Sequence, residues 1–171
     1  MKWSPFRPLG LFGALALLGA CAGVGQLTHG VYSKGSVRYR IGELPAGWQQ
    51  VRLEGNDLAF LSKGSGHSLA INATCEDTDD PTLPVLTRHL LMGFTARTTL
   101  DEQTVTLDGR EGLRSHVTAR LDGVPVELLL LVLKKNGCVY DFTYLSPQGK
   151  FEEQRSAFEG LVAGFQVEAR P

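Results

Sequence analysis

The side chains with reactive potential are few and widely spaced. Three cysteines, Cys21, Cys75 and Cys138, supply the only thiols. None has a CxxC partner or a nearby histidine, so a zinc site of the usual spacing is absent from the pattern. The acidic run Glu76-Asp77-Thr78-Asp79-Asp80 offers oxygens at alternate positions, and Asp77, Asp79 and Asp80 are the residues that could hold calcium. That run lacks the glycine and the distal glutamate of an EF-hand loop. Negative charge ahead of a helix, favoured there by about 0.3 to 1 kcal/mol, explains it as well.

The four histidines, His29, His67, His89 and His116, form no pair at metal-ligand spacing. Gly64-Ser65-Gly66-His67 places a hydroxyl near an imidazole but is not the Gly-x-Ser-x-Gly elbow of a hydrolase. Trp48, Tyr140 and Tyr144 could line a ligand groove. The same aromatics at period two equally describe the packed face of a sheet. No catalytic constellation emerges, no cofactor motif is present, and the reading is of a non-enzyme.

Charge narrows the partners. The chain carries 17 basic and 18 acidic residues in 171. Arginines are scattered and only Lys134-Lys135 are adjacent, so there is no basic stripe and no aromatic-basic motif for nucleic acid.

The elements that position these residues begin with a targeting segment. Lys2 and Arg7 precede an apolar stretch from Leu9 to Leu18, closed by small residues before Cys21. This is the plan of a signal peptide, and its apolar part falls short of the roughly 20 residues a membrane-crossing helix needs. Leu18, Gly19, Ala20 and Cys21 resemble the lipobox of bacterial lipoproteins. That resemblance implies a diacylglycerol thioether on Cys21, cleavage before it and a membrane anchor through covalent lipid; a plain secretory signal that leaves Cys21 a free thiol is the alternative. Each buried methylene contributes about 0.8 kcal/mol, so two or three acyl chains hold firmly. Ala22, which is not aspartate, points to the periplasmic face of the outer membrane.

With Cys21 committed to lipid in an oxidising compartment, Cys75 and Cys138 remain, and a disulfide between them is expected. Two buried thiols on neighbouring strands are the alternative.

Residues 21–36 are rich in Gly, Ser and Thr and read as a flexible tether, leaving 37–171 as one domain. Strand-length runs follow at Val37 to Ile41, Trp48 to Leu53, Leu58 to Lys63 and Ser68 to Cys75. Asp80-Pro81 reads as a helix start, with apolar spacing from Leu83 to Phe94 predicting a helix over about Pro81 to Gly93. Asp108-Gly109, Asp122-Gly123 and Asn136-Gly137 are favoured two-residue hairpin turns and predict a four-strand meander. Val126 to Leu133 is apolar almost throughout, as in a central strand covered on both faces. Phe151, Phe158, Leu161, Val162 and Phe165 predict a second helix ending at Gly164.

The fold class is therefore α+β: an antiparallel sheet of about six to eight strands flanked by two main helices. The order of these elements, from Leu44-Pro45-Ala46-Gly47-Trp48 through the Asp-Gly hairpins to the helix ending Val162-Ala163-Gly164-Phe165, resembles the PsbP-like fold over Val37 to Val167. Members of that group act mostly as binding or assembly accessories. The resemblance thus implies a lipid-anchored accessory of the cell envelope that binds another envelope protein. Carriage of a small apolar ligand such as lipid is the alternative, and an unrecognised hydrolase a third.

Overall fold

The computed structural model describes residues 25–75 and 80–168. Among them, eleven strands and two helices form two antiparallel sheets with helical cover. The small sheet contains β1 (Gln26–Thr28), β2 (Val31–Lys34), β3 (Val37–Arg40) and β11 (Gln166–Val167) in the order β1-β2-β3-β11. The large sheet is built from β4 (Trp48–Val51), β5 (Leu58–Ser62), β6 (Ser68–Thr74), β7 (Thr95–Leu107), β8 (Arg110–Leu121), β9 (Val124–Lys135) and β10 (Cys138–Pro147), ordered β4-β5-β6-β10-β9-β8-β7. Helices α1 (Leu83–Leu90) and α2 (Phe151–Ala163) complete the domain.

The meander β7 to β10 forms as its turns predict. Both residues of each turn take positive φ, as at Asp122 (50°) and Gly123 (81°), the conformation whose twist matches that of the flanking strands. β9 pairs with β8 and β10 along nearly its whole length. Its alternate residues feed separate cores. Leu129, Leu131 and Leu133 join the larger cluster with the small sheet and α2, while Val126, Leu128 and Leu130 join the smaller one beneath α1.

The larger core is aromatic. Phe165, just past α2, touches Tyr39, Tyr140 and Phe142, with ring centroids 5.0 to 5.8 Å apart. Burying a phenyl ring contributes about 1.5 to 3 kcal/mol, so this residue fastens the end of the helix to both sheets. The close approach of α2 to the chain after β3 depends on Gly42, whose N–H donates to the Leu161 carbonyl at 2.9 Å. A Cβ at Gly42 would stand 2.0 Å from the Gly160 carbonyl oxygen.

Two expectations are corrected. The stretch from 26 to 34, read as tether, is sheet: Tyr32 and Tyr39 are register partners, Tyr32 is 1% exposed, and the two rings are 5.0 Å apart. Polar and small residues suffice here because two buried rings, Tyr32 on β2 and Tyr39 on β3, hold the small sheet on the core. The first helix starts at Leu83, not Pro81. Thr82 precedes it, and its carbonyl accepts from the N–H groups of Val85 and Leu86. Asp80 is drawn instead to Lys134, with which it forms an ion pair. Helix α2 occupies the expected segment and ends at Gly164.

Candidate functional site

Cys75 and Cys138 are joined by a disulfide that ties the end of β6 to the start of β10. Leu18, Gly19, Ala20 and Cys21 lie outside the described residues, as do Asp77 and Asp79 of the acidic run. Asp80 is described, and its exposed carboxylate serves Lys134. Among the described residues no cluster of three or more His, Cys, Asp or Glu side chains is arranged for a metal.

Of the two readings of the aromatics, groove or packed face, Tyr140 and Tyr144 belong to a packed core. Tyr140 and Tyr144 are 2% and 0% exposed, and with Phe142 they form the inner face of β10. Burial pushes the Tyr144 hydroxyl far above its ordinary range, and that hydroxyl donates to the Phe151 carbonyl at 2.8 Å. Trp48 stands at the core's margin, its indole N–H directed to Gln154 Oε1 at 3.3 Å, which links β4 to α2. Period-two aromatics form one face of a strand in either case. What decided between core and groove was the arrival of Phe151, Phe158 and Phe165 over them; the helix pattern predicts such a cover but not which aromatics it falls on.

Two of the histidines, His67 and His116, are held in structural contacts. His67 is fully buried and stacks parallel to Tyr144 at 5.9 Å. Its Nε2 lies 3.0 Å from the Lys150 carbonyl, which can only accept, so the proton belongs on Nε2; Nδ1 faces the Ser65 hydroxyl at 2.9 Å. Both ring nitrogens are committed, and the pair staples the β5–β6 turn to the start of α2. His116 Nε2 lies 2.8 Å from Glu127 Oε1, and its ring stacks on Phe151 at 4.1 Å. Neither imidazole has the nucleophile-base-acid chain of a hydrolase.

A buried polar network was not foreseen. Asp57, just before β5, accepts from the Tyr32 hydroxyl and the Lys34 ammonium, both at 2.8 Å, and from the Ala73 N–H at 2.9 Å. The Asn72 side chain accepts from Asp57 N–H and donates to Asp141, each at 3.0 Å. Burial, the largest influence, pushes the Asp141 carboxyl up to about 6; the Asn72 hydrogen bond opposes the shift and the Asp57 charge adds to it. Burial also drives the Tyr32 and Tyr39 hydroxyls upward, with the Asp57 charge contributing to both. Tyr32, Lys34 and Asp57 of this network line an open cleft of about 600 Å³ between β1–β2 and the 50–57 segment. Alternating charge along a strand would not have found it, because Asp57, Asn72 and Asp141 come from three separate elements.

A second recess of about 430 Å³ runs between α2 and the β7–β8 hairpin. Val105, Leu107, Leu131, Phe158, Val162 and Ala163 give it an apolar floor. The ion pair of Arg114 with Glu159, and Arg155 beside it, close one margin. Its lining is mostly apolar, and its volume is of a size that small-molecule sites have.

No family model matches the chain, and none of the curated proteins does. Solved structures share its fold. The PsbP of the cyanobacterium Synechocystis sp. PCC 6803, CyanoP, superimposes with a TM-score of 0.58 at 14% identity, covering 93% of this chain and all of that one. LpqN of Mycobacterium tuberculosis, described as involved in cell envelope biogenesis, gives 0.55 at 10% identity over 79% of this chain and 87% of that one. A protein of unknown function from Pseudomonas aeruginosa gives 0.52 at 14% identity over 87% and 99%. The fold is PsbP-like, an α+β arrangement.

Proposed function

We propose that the protein is a lipid-anchored, non-catalytic binding accessory of the bacterial cell envelope. The observation that carries this reading is the sequence Leu18-Gly19-Ala20-Cys21, set five positions ahead of Gln26 at the start of the first strand. The fold shared with LpqN, an envelope biogenesis protein, and with CyanoP supports it, as do the disulfide, which suits an oxidising compartment, and the commitment of both buried histidine nitrogens to structure. With β1 in the sheet, the tether is far shorter than residues 21–36: Cys21 to Gly25 spans at most roughly 14 Å. The domain therefore rides directly on the lipid surface, and the periplasmic face of the outer membrane is the site we assign it.

The experiment is fractionation of the full-length chain expressed in a Gram-negative host and fed labelled palmitate. The parent should sediment with membranes and take up label; Cys21→Ser should be soluble and unlabelled. A Cys21→Ser protein that still sediments with membranes overturns the anchor.

The recess under α2 favours a second reading, carriage of a small apolar ligand. Its apolar floor and volume suit an acyl chain. Native mass spectrometry of the envelope-purified protein, showing a lipid adduct that Val162→Trp abolishes, would support this over the first.

A further inference from the structure

The two ends of the large sheet differ in character. At one end lie the turns Asp108-Gly109 and Asn136-Gly137, the disulfide and Asp57. Gly25 is there too, since it abuts the Tyr32 hydroxyl that donates to Asp57. The chain coming from Cys21 enters at this end. The β8–β9 turn, Asp122-Gly123, marks the other. From Leu133, level with Tyr140 and Ala73, to Val124 is nine residues of β9, about 30 Å.

That far end is apolar and basic. Met92, Val124 and Leu121 are 72%, 61% and 37% exposed. They gather there by the fold: Leu121 and Val124 are register partners, and Leu91, the neighbour of Met92, packs with Ala119 and Val126 of the same hairpin. Three arginines surround them. Arg88 is exposed in the last turn of α1, Arg97 donates to the Leu91 carbonyl at 3.3 Å, and Arg120 donates to the Gly123 carbonyl at 2.9 Å. None of the three is ion-paired among the described residues. In a chain whose acidic residues outnumber its basic ones, this is a local surplus of positive charge around exposed apolar side chains.

We infer that this pole is a docking surface for a protein partner that presents acidic side chains around an apolar recess. Methionine and arginine are residues that protein interfaces favour. The Arg97 and Arg120 guanidinium groups, each held by a backbone carbonyl, are already oriented for carboxylates. A lipid bilayer fits less well. Asp122 sits at the tip between Leu121 and Val124, so burying those two in lipid would drag a carboxylate in with them. The inference deepens the accessory reading and rests on it, yet its failure is separable, because anchorage is read by fractionation and docking by contact at this pole.

The test places a photoreactive amino acid at position 124, or at Leu53 near the opposite pole, in the full-length protein in its native host, with phospholipid labelled by radioactive phosphate. The expected result is a protein adduct from position 124 and none from 53, whose cross-linked peptide is rich in Asp and Glu. The triple change Arg88→Glu, Arg97→Glu, Arg120→Glu should reduce its yield about tenfold or more. The triple change to lysine at the same positions should retain it, which separates charge from folding. A radioactive lipid adduct, equal yields at positions 53 and 124, or loss of the adduct in the lysine variant as well would each overturn the proposal.

Discussion

Asn72 and Asp141 face each other across the β6–β10 ladder, the Asn72 amide donating to the carboxylate at 3.0 Å. The arrangement leaves a carboxyl group largely out of water with one neutral partner and the Asp57 charge nearby. Because its carboxyl is pushed up to about 6 from 3.8, the folded protein holds a proton at pH values where the unfolded chain has released it. The contribution of this group is therefore fullest below about pH 3.8, falls as pH rises towards 6, and is lost above it. Asp141→Asn should raise stability at pH 7 by roughly 1 to 3 kcal/mol and have little effect near pH 3.5. Urea midpoints at the two pH values read this directly, and an equal effect at both would show that the charge is not the cause.

The disulfide closes a loop with a sequence separation of 63. In the chain-entropy account such a cross-link stabilises by about 4 kcal/mol, and measured values are often smaller. Cys75→Ala with Cys138→Ala should lower the urea midpoint by an amount equivalent to about 2 to 4 kcal/mol. Adding reductant should then change the parent and leave the double variant unmoved.

Gly42 and Gly160 are one backbone contact apart and should answer alanine oppositely. At Gly42 the new methyl would collide with the Gly160 carbonyl, which belongs to helix backbone and cannot swing aside. Gly42→Ala should cost about 2 kcal/mol or more through forced displacement of α2. Nothing lies within 4 Å of a Cβ at Gly160, so Gly160→Ala should gain about 0.5 to 1 kcal/mol from helix propensity alone. Thermal melts of the two variants give the comparison.

A chain shortened to begin at Val37 tests whether β1 and β2 belong to the domain. It loses the buried Tyr32 ring and the pairing of β2 with β3, and leaves Asp57 without two of its donors. A drop of at least 10 °C in melting temperature is expected, on the order of a few kcal/mol for a domain of this size. An unchanged melt would restore residues 26–36 to the tether.

What the sequence disclosed follows a physical line. The meander was legible because each Asp-Gly or Asn-Gly turn is a local cause acting on adjacent strands. The β1–β2 hairpin has a turn of the same conformation, with φ of 49° at His29 and 74° at Gly30, but histidine in place of aspartate or asparagine hid it. β11 could not be read at all. It is two residues long and gains its identity from β3, with Gln166 opposite Arg40. The Asp57, Asn72 and Asp141 network depends on the register of three strands and was equally out of reach. The apolar run of β9 signalled two covered faces, yet not that one cover is itself a sheet.

The pairing of β11 with β3 closes the small sheet. Glu168 accepts from both Arg38 and Arg40, at 2.6 and 2.9 Å, and β11 lies between this clamp and the end of α2. The small sheet is thus completed by the last strand of the chain laid against one of the first. Closing it brings together residues 130 positions apart in the sequence, so the entropy of a long loop must be overcome for this one short pairing.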